Sequence, residues 1–154
     1  MVADTLALVK KDFPTAQPSK SCPRRIVVVD DENFCLEMFR LLIQDWFEEV
    51  TLLEFSNSGD AWRELSRTDP DFLILDMPLS GVEILPLLAE RTVKYPILAT
   101  SGLFGEKEMQ QQANPNLRVS CLVKPFSPEQ FFRELLTYVG PSDNPQRKIW
   151  NDAP

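Results

Sequence analysis

Short apolar runs alternate along this chain with longer stretches whose apolar positions recur at helical spacing. Ile26-Val27-Val28-Val29 is continuous, as a strand buried on both faces should be. Leu73-Ile74-Leu75, Ile97-Leu98-Ala99 and Leu122-Val123 read the same way. Strands are predicted over 25–30, about 50–55, 71–76, 96–100 and 118–123. Cys35, Met38, Phe39, Leu42 and Trp46 mark one face of a first helix. Ala61, Trp62 and Leu65 mark a second, about 59–67, ending before Asp69-Pro70. A third helix lies within 82–92, and a weak fourth covers 106–113. The last helix is the best signed. Ser127 is its N-cap, Pro128 its first residue, and Gln130 completes a capping box. Phe126 and Phe131 hold the two staple positions, and Gly140-Pro141 closes the helix.

This alternation predicts a doubly wound α/β fold, a five-stranded parallel sheet with helices on both faces. Right-handed crossovers and the flavodoxin-like order 2-1-3-4-5 are its natural small solution. Strands one, three, four and five are then neighbours. Each delivers polar residues at its carboxyl end: Asp30-Asp31, Asp76, Thr100-Ser101 and Lys124-Pro125. Sheets of this kind bind ligands at that edge. Three carboxylates, a hydroxyl and an ammonium suit a metal ion and a phosphoryl group.

Composition narrows the chemistry. The chain has 154 residues, 44% of them apolar, enough for one domain with a proper core. The domain is expected over 24–140, after a flexible Pro- and Lys-containing segment (1–23) and before a flexible tail (141–154). The net charge of −7 argues against nonspecific binding to nucleic acid or anionic lipid. There is no histidine, so any metal is held by oxygen, which points to magnesium, manganese or calcium. No apolar stretch matches a membrane span, and Met1 to Val9 carry no secretory pattern. Cys22, Cys35 and Cys121 are few and unpatterned, and Cys35 and Cys121 read as reduced core residues of a cytoplasmic protein.

Asp30-Asp31, Asp76, Ser101 and Lys124-Pro125-Phe126, in this order and spacing, resemble the receiver domain of two-component response regulators over roughly 24–140. The resemblance implies a phosphorelay component and not a conventional enzyme. Asp76 would be the phosphoacceptor, forming an aspartyl-phosphate. Asp31 would hold magnesium (or manganese) directly, Asp30 through water, and Pro78 through its backbone carbonyl. Lys124 would pair with a phosphoryl oxygen. Ser101 is assigned as the switch hydroxyl, with Thr100 the second choice. The Lys124-Pro125 bond would be cis. The implied partners are a sensor histidine kinase or histidine phosphotransfer protein, then a downstream protein or a second copy, met through the face of helix four, strand five and the last helix. Neither nucleic acid nor membrane is an expected partner.

The sequence departs from the family's pattern in the loop after Asp76, at Cys121 and, more mildly, in having Thr100 next to Ser101. The run from Asp76 to Gly81 is three residues shorter than the family's usual span. Pro86 then falls in helix three, where an interior proline costs about 3 kcal/mol. Either Pro86 is the first helical residue and Gly81 to Leu85 are loop, or the helix is kinked. Cys121 stands where the family often has an aromatic switch residue, which makes it an atypical switch position. A pseudo-receiver that binds partners without phosphorylation is the alternative reading. A haloacid-dehalogenase-type phosphatase is a distant third, because Asp30 and Asp31 are adjacent and Asp76 lacks a second Asp two residues on.

Overall fold

The computed structural model describes residues 23–47 and 49–139. The lead-in (1–22), Cys22, the Gly140-Pro141 closure and the tail lie outside them. Within 23–126 the elements are β1 (Arg25–Val29), α1 (Asn33–Trp46), β2 (Thr51–Phe55), α2 (Ser58–Leu65), β3 (Phe72–Asp76), α3 (Ile84–Glu90), β4 (Ile97–Ser101), α4 (Glu106–Gln112) and β5 (Val119–Val123). All strand pairs are parallel, in the order β2-β1-β3-β4-β5. This is the predicted topology.

Burial follows position in the sheet. β3 and β4 are buried throughout and β1 nearly so, whereas β2 and β5, the two edges, are half-buried. Alternate residues feed opposite faces. Val27, Val29, Leu73, Leu75, Ile97 and Ala99 form one core with Ala61 and Leu65 of α2, Ile84, Leu85 and Leu88 of α3, and Met109 of α4. α1 stands outside that core and lies along β1, covering the other face. Its buried stripe is Cys35, Leu36, Phe39, Leu42 and Ile43. Of the predicted stripe Cys35, Phe39 and Leu42 are buried, Met38 and Trp46 are only half-buried, and Leu36 and Ile43 are buried in addition. Leu36, Phe39 and Ile43 step by three and four residues, which keeps them on the sheet side.

Pro86 fits neither expected solution. Glu83 is the N-cap, so Pro86 is the third helical residue of α3. The N–H groups of a first turn have no intrahelical partner, so proline there removes no hydrogen bond. The loop after Asp76 consequently extends over 77–83.

The separate segment from Ser127 contains α5 (Pro128–Val139). Its capping box forms as predicted: Ser127 Oγ accepts from Gln130 N at 3.2 Å, and Ser127 N donates to Gln130 Oε1 at 2.8 Å.

Candidate functional site

Four strands of unit 23–126 end side by side. Asp76 lies opposite Thr100, and Ser101 opposite Val123, so the residues that end β3, β4 and β5 form one row. Asp30 follows β1 directly, and its N–H donates to Phe55 O at 3.0 Å. The row is tied together by backbone. Met77 N donates to Thr100 O, and Lys124 N to Ser101 O, both at 2.7 Å.

Lys124 is the centre of the polar cluster. Its Nζ lies 2.7 Å from Asp30 Oδ2 and 2.9 Å from Asp76 Oδ1. Glu32 Oε1 is 3.9 Å away, and Cys35 Sγ accepts at 3.4 Å. Asp30 is fully buried, Asp76 is 7% exposed, and Asp31 is open to solvent. Asp30 Oδ1 also accepts from Glu32 N at 2.9 Å, which fixes its carboxylate over the start of α1. Thr100 Oγ1 donates to Asp76 Oδ1 at 3.4 Å.

The charges are strongly coupled. Burial pushes the Asp76 carboxyl above the ordinary carboxylate range, and Lys124 opposes this while Asp30 and Asp31 reinforce it. Burial works against the Lys124 ammonium, yet its hydrogen bonds and charge pairing with Asp30 and Asp76 hold it above the ordinary lysine range. Lys124 divides itself between two carboxylates, so it stabilises neither fully. Burial, then the Asp30 charge, raises the Cys35 thiol, so it stays protonated. Each close carboxylate pair repels by about 4 kcal/mol at an effective dielectric of about 20.

Asp30, Asp31 and Asp76 each offer an oxygen within 4.8 Å of the others. Three carboxylates against one ammonium leave two negative charges. An all-oxygen set with that deficit fits a hard dication.

The sequence model of the response regulator receiver domain matches residues 26–136. The chain belongs to that family. Its fold agrees with solved receiver domains. A CheY-like response regulator receiver domain protein from Methanospirillum hungatei JF-1 superposes with a TM-score of 0.62 at 16% identity, over 75% of this chain and 93% of that one. A Francisella receiver domain, of response regulator 1452, gives 0.62 at 16% identity, over 75% and 96%. The signal receiver domain of a response regulator from Bermanella marisrubri gives 0.61 at 24% identity, over 75% and 98%. At these identities the likeness concerns the fold alone. No curated protein sequence matches the chain.

Most of the sequence-predicted residues of this receiver domain meet. Asp30, Asp31, Asp76 and Lys124 cluster, and the Lys124-Pro125 bond is cis. The Met77-Pro78 bond is also cis, which nothing in the sequence foretold. Pro78 is exposed beside the cluster in sequence. Ser101 is buried, and its Oγ accepts from Leu103 N at 3.1 Å and Phe104 N at 2.8 Å. Of the two hydroxyls, Thr100 is the one in contact with Asp76. Cys121 lies opposite Ala99 and packs against the sheet core. Sequence reasoning missed the contacts of Glu32 and Cys35 with Lys124. Their spacing from Asp31, one and four residues on, was the available signal: both sit at the start of α1, facing the same sheet edge.

Proposed function

We propose that this receiver domain accepts a phosphoryl group on Asp76 from a phosphohistidine of a sensor kinase or phosphotransfer protein. The observation that carries the reading is Asp76 Oδ1 at 2.9 Å from Lys124 Nζ, inside the cluster that Asp30 and Asp31 complete. One Asp76 oxygen attacks phosphorus as the P–N bond breaks, and the electron pair of that bond leaves with the donor imidazole. Lys124 faces the oxygens on which charge spreads during transfer. Asp30, Asp31, Asp76 and the Pro78 carbonyl would hold magnesium or manganese, which supplies charge neutralisation for phosphoryl oxygens.

Ser101 takes the switch role. Its Oγ holds the amides of Leu103 and Phe104, so rotation of Ser101 toward a phosphoryl oxygen moves that loop with it. The output is protein association. Leu103 is 82% exposed beside the switch, and Val123 is 41% exposed on the edge strand β5, next to α4. Phe34, 73% exposed three residues after Asp31, offers the phosphodonor an apolar contact. The proposed domain, 24–140, contains the matched residues, and the proposed location is the cytoplasm. Among the described residues, no helix is long and apolar enough to cross a membrane.

Phosphoramidate, which carries the P–N bond of phosphohistidine, tests the reading. With magnesium the wild type should gain one phosphoryl group by intact mass, and Asp76→Asn should gain none. A folded wild type that stays unlabelled favours the pseudo-receiver alternative.

A further inference from the structure

We propose that Ser58 is a positioning residue for the loop that follows the phosphoacceptor, and through it for the Pro78 carbonyl. The inference rests on the phosphoacceptor reading, but its evidence lies outside the carboxylate cluster.

Ser58 is the first residue of α2, one place after the N-cap position whose side chain satisfies the free N–H groups of a helix start. Here the cap is already supplied. Asn57 Oδ1 accepts from Asp60 N at 2.8 Å, and Asn57 Nδ2 donates to Asp60 Oδ2 at 2.8 Å. The Ser58 hydroxyl is therefore available for another element. It is 2% exposed and donates to Ser80 O at 2.9 Å. It also accepts from Val82 N at 2.8 Å. One hydroxyl thus spans the residue between, Gly81, and satisfies a carbonyl and an amide of the 77–83 loop.

Gly81 completes the fit. Its φ is +99°, a conformation L side chains rarely adopt, and a Cβ there would stand 2.8 Å from Ser58 Oγ. The approach of the two segments therefore needs both the hydroxyl and the bare glycine. The loop is also pinned from the other side: Met77 N donates to Thr100 O at 2.7 Å. Leu79 and Val82 pack against the sheet core. Pro78 is suspended between the Met77 anchor and the Ser80 anchor. Asp76 ends β3 and Asp30-Asp31 follow β1 directly, whereas Pro78 lies inside the loop, so its carbonyl depends on these anchors most. Groups that orient metal ligands typically change affinity by about 10–100-fold when removed.

The test uses the full chain, with magnesium affinity by calorimetry and amide hydrogen exchange at Val82. Ser58→Ala should weaken magnesium about tenfold and speed Val82 exchange, while Ser58→Thr, which keeps the hydroxyl, should restore both toward wild type. Gly81→Ala leaves Ser58 in place but wedges the contact. It should weaken magnesium in the same direction, and it serves if Ser58→Ala fails to fold. A role confined to fold stability would lower the melting temperature but leave the affinity of the folded protein unchanged. Wild-type binding with affinity within about twofold in the folded variants, smaller than any positioning effect, overturns the inference alone. No magnesium binding by the wild type overturns the phosphoacceptor reading, and the inference with it.

Discussion

Lys124 stands between two buried carboxylates, and this placement sets what single substitutions should do. Without it, Asp30 and Asp76 face each other with no side-chain cation from the described residues between them. Lys124→Met should therefore cost about 3 kcal/mol in metal-free denaturant unfolding, the penalty for leaving a buried charge unpaired. Magnesium should recover part of that loss. Tyr95 gives the opposite case. Its hydroxyl is buried with no hydrogen-bond partner among the described residues, and burial, then the nearby Asp69, push its pKa up to about 12. The unfolded chain releases that proton near the ordinary tyrosine value, so stability is at its full value below that pH and falls as pH climbs from there through the folded pKa. Tyr95→Phe should be neutral or slightly stabilising at pH 7 and should flatten the alkaline loss up to about pH 12, read from urea midpoints across that range. At this scale the sequence was legible wherever a polar residue ended an apolar run: Asp30, Asp76 and Lys124 are placed by their strands. The roles of Thr100, Glu32 and Ser58 were not legible. Thr100 meets Asp76 through sheet register, Glu32 meets Lys124 through a helix start, and Ser58 meets its loop across sequence separations that no local pattern encodes.

Elements were legible in proportion to their burial. β1, β3 and β4 are continuous apolar runs, and their fully buried places follow from that alone. α1 was found, but its apolar positions are numerous enough to allow more than one stripe, and packing on the sheet buried Leu36 and Ile43 in addition. α3 was harder, because a proline reads as a break unless the start of the helix is known. In the first turn Pro86 displaces no hydrogen bond, so Pro86→Ala should change stability by less than about 1 kcal/mol in thermal or chemical unfolding. A gain near 3 kcal/mol, the amount expected of an interior proline, would contradict the observed helix start.

The receiver unit as a whole combines a neutral, apolar sheet with an acidic edge left short of positive charge. Folding therefore works against repulsion that a dication relieves. Magnesium at a hundredfold excess over its dissociation constant should raise stability by about 2.7 kcal/mol, visible as a higher melting temperature. Asp31→Ala should remove most of that rise. The topology was legible because five strand signals, short connections and right-handed crossovers leave few arrangements. The meeting of Asp30, Asp31, Asp76 and Lys124 at one edge followed once the order was assumed. The shape of the 77–83 loop did not, since its path depends on Ser58, Gly81 and Thr100, residues from three different parts of the chain. The central claim is that this edge carries out phosphoryl transfer onto Asp76. Its most direct test is incubation with acetyl phosphate, with and without magnesium, followed by peptide mapping of the modified residue. Label confined to the peptide bearing Asp76, and formed only with magnesium, is the predicted result. A folded protein that takes no label, or takes it at another residue, would contradict the account.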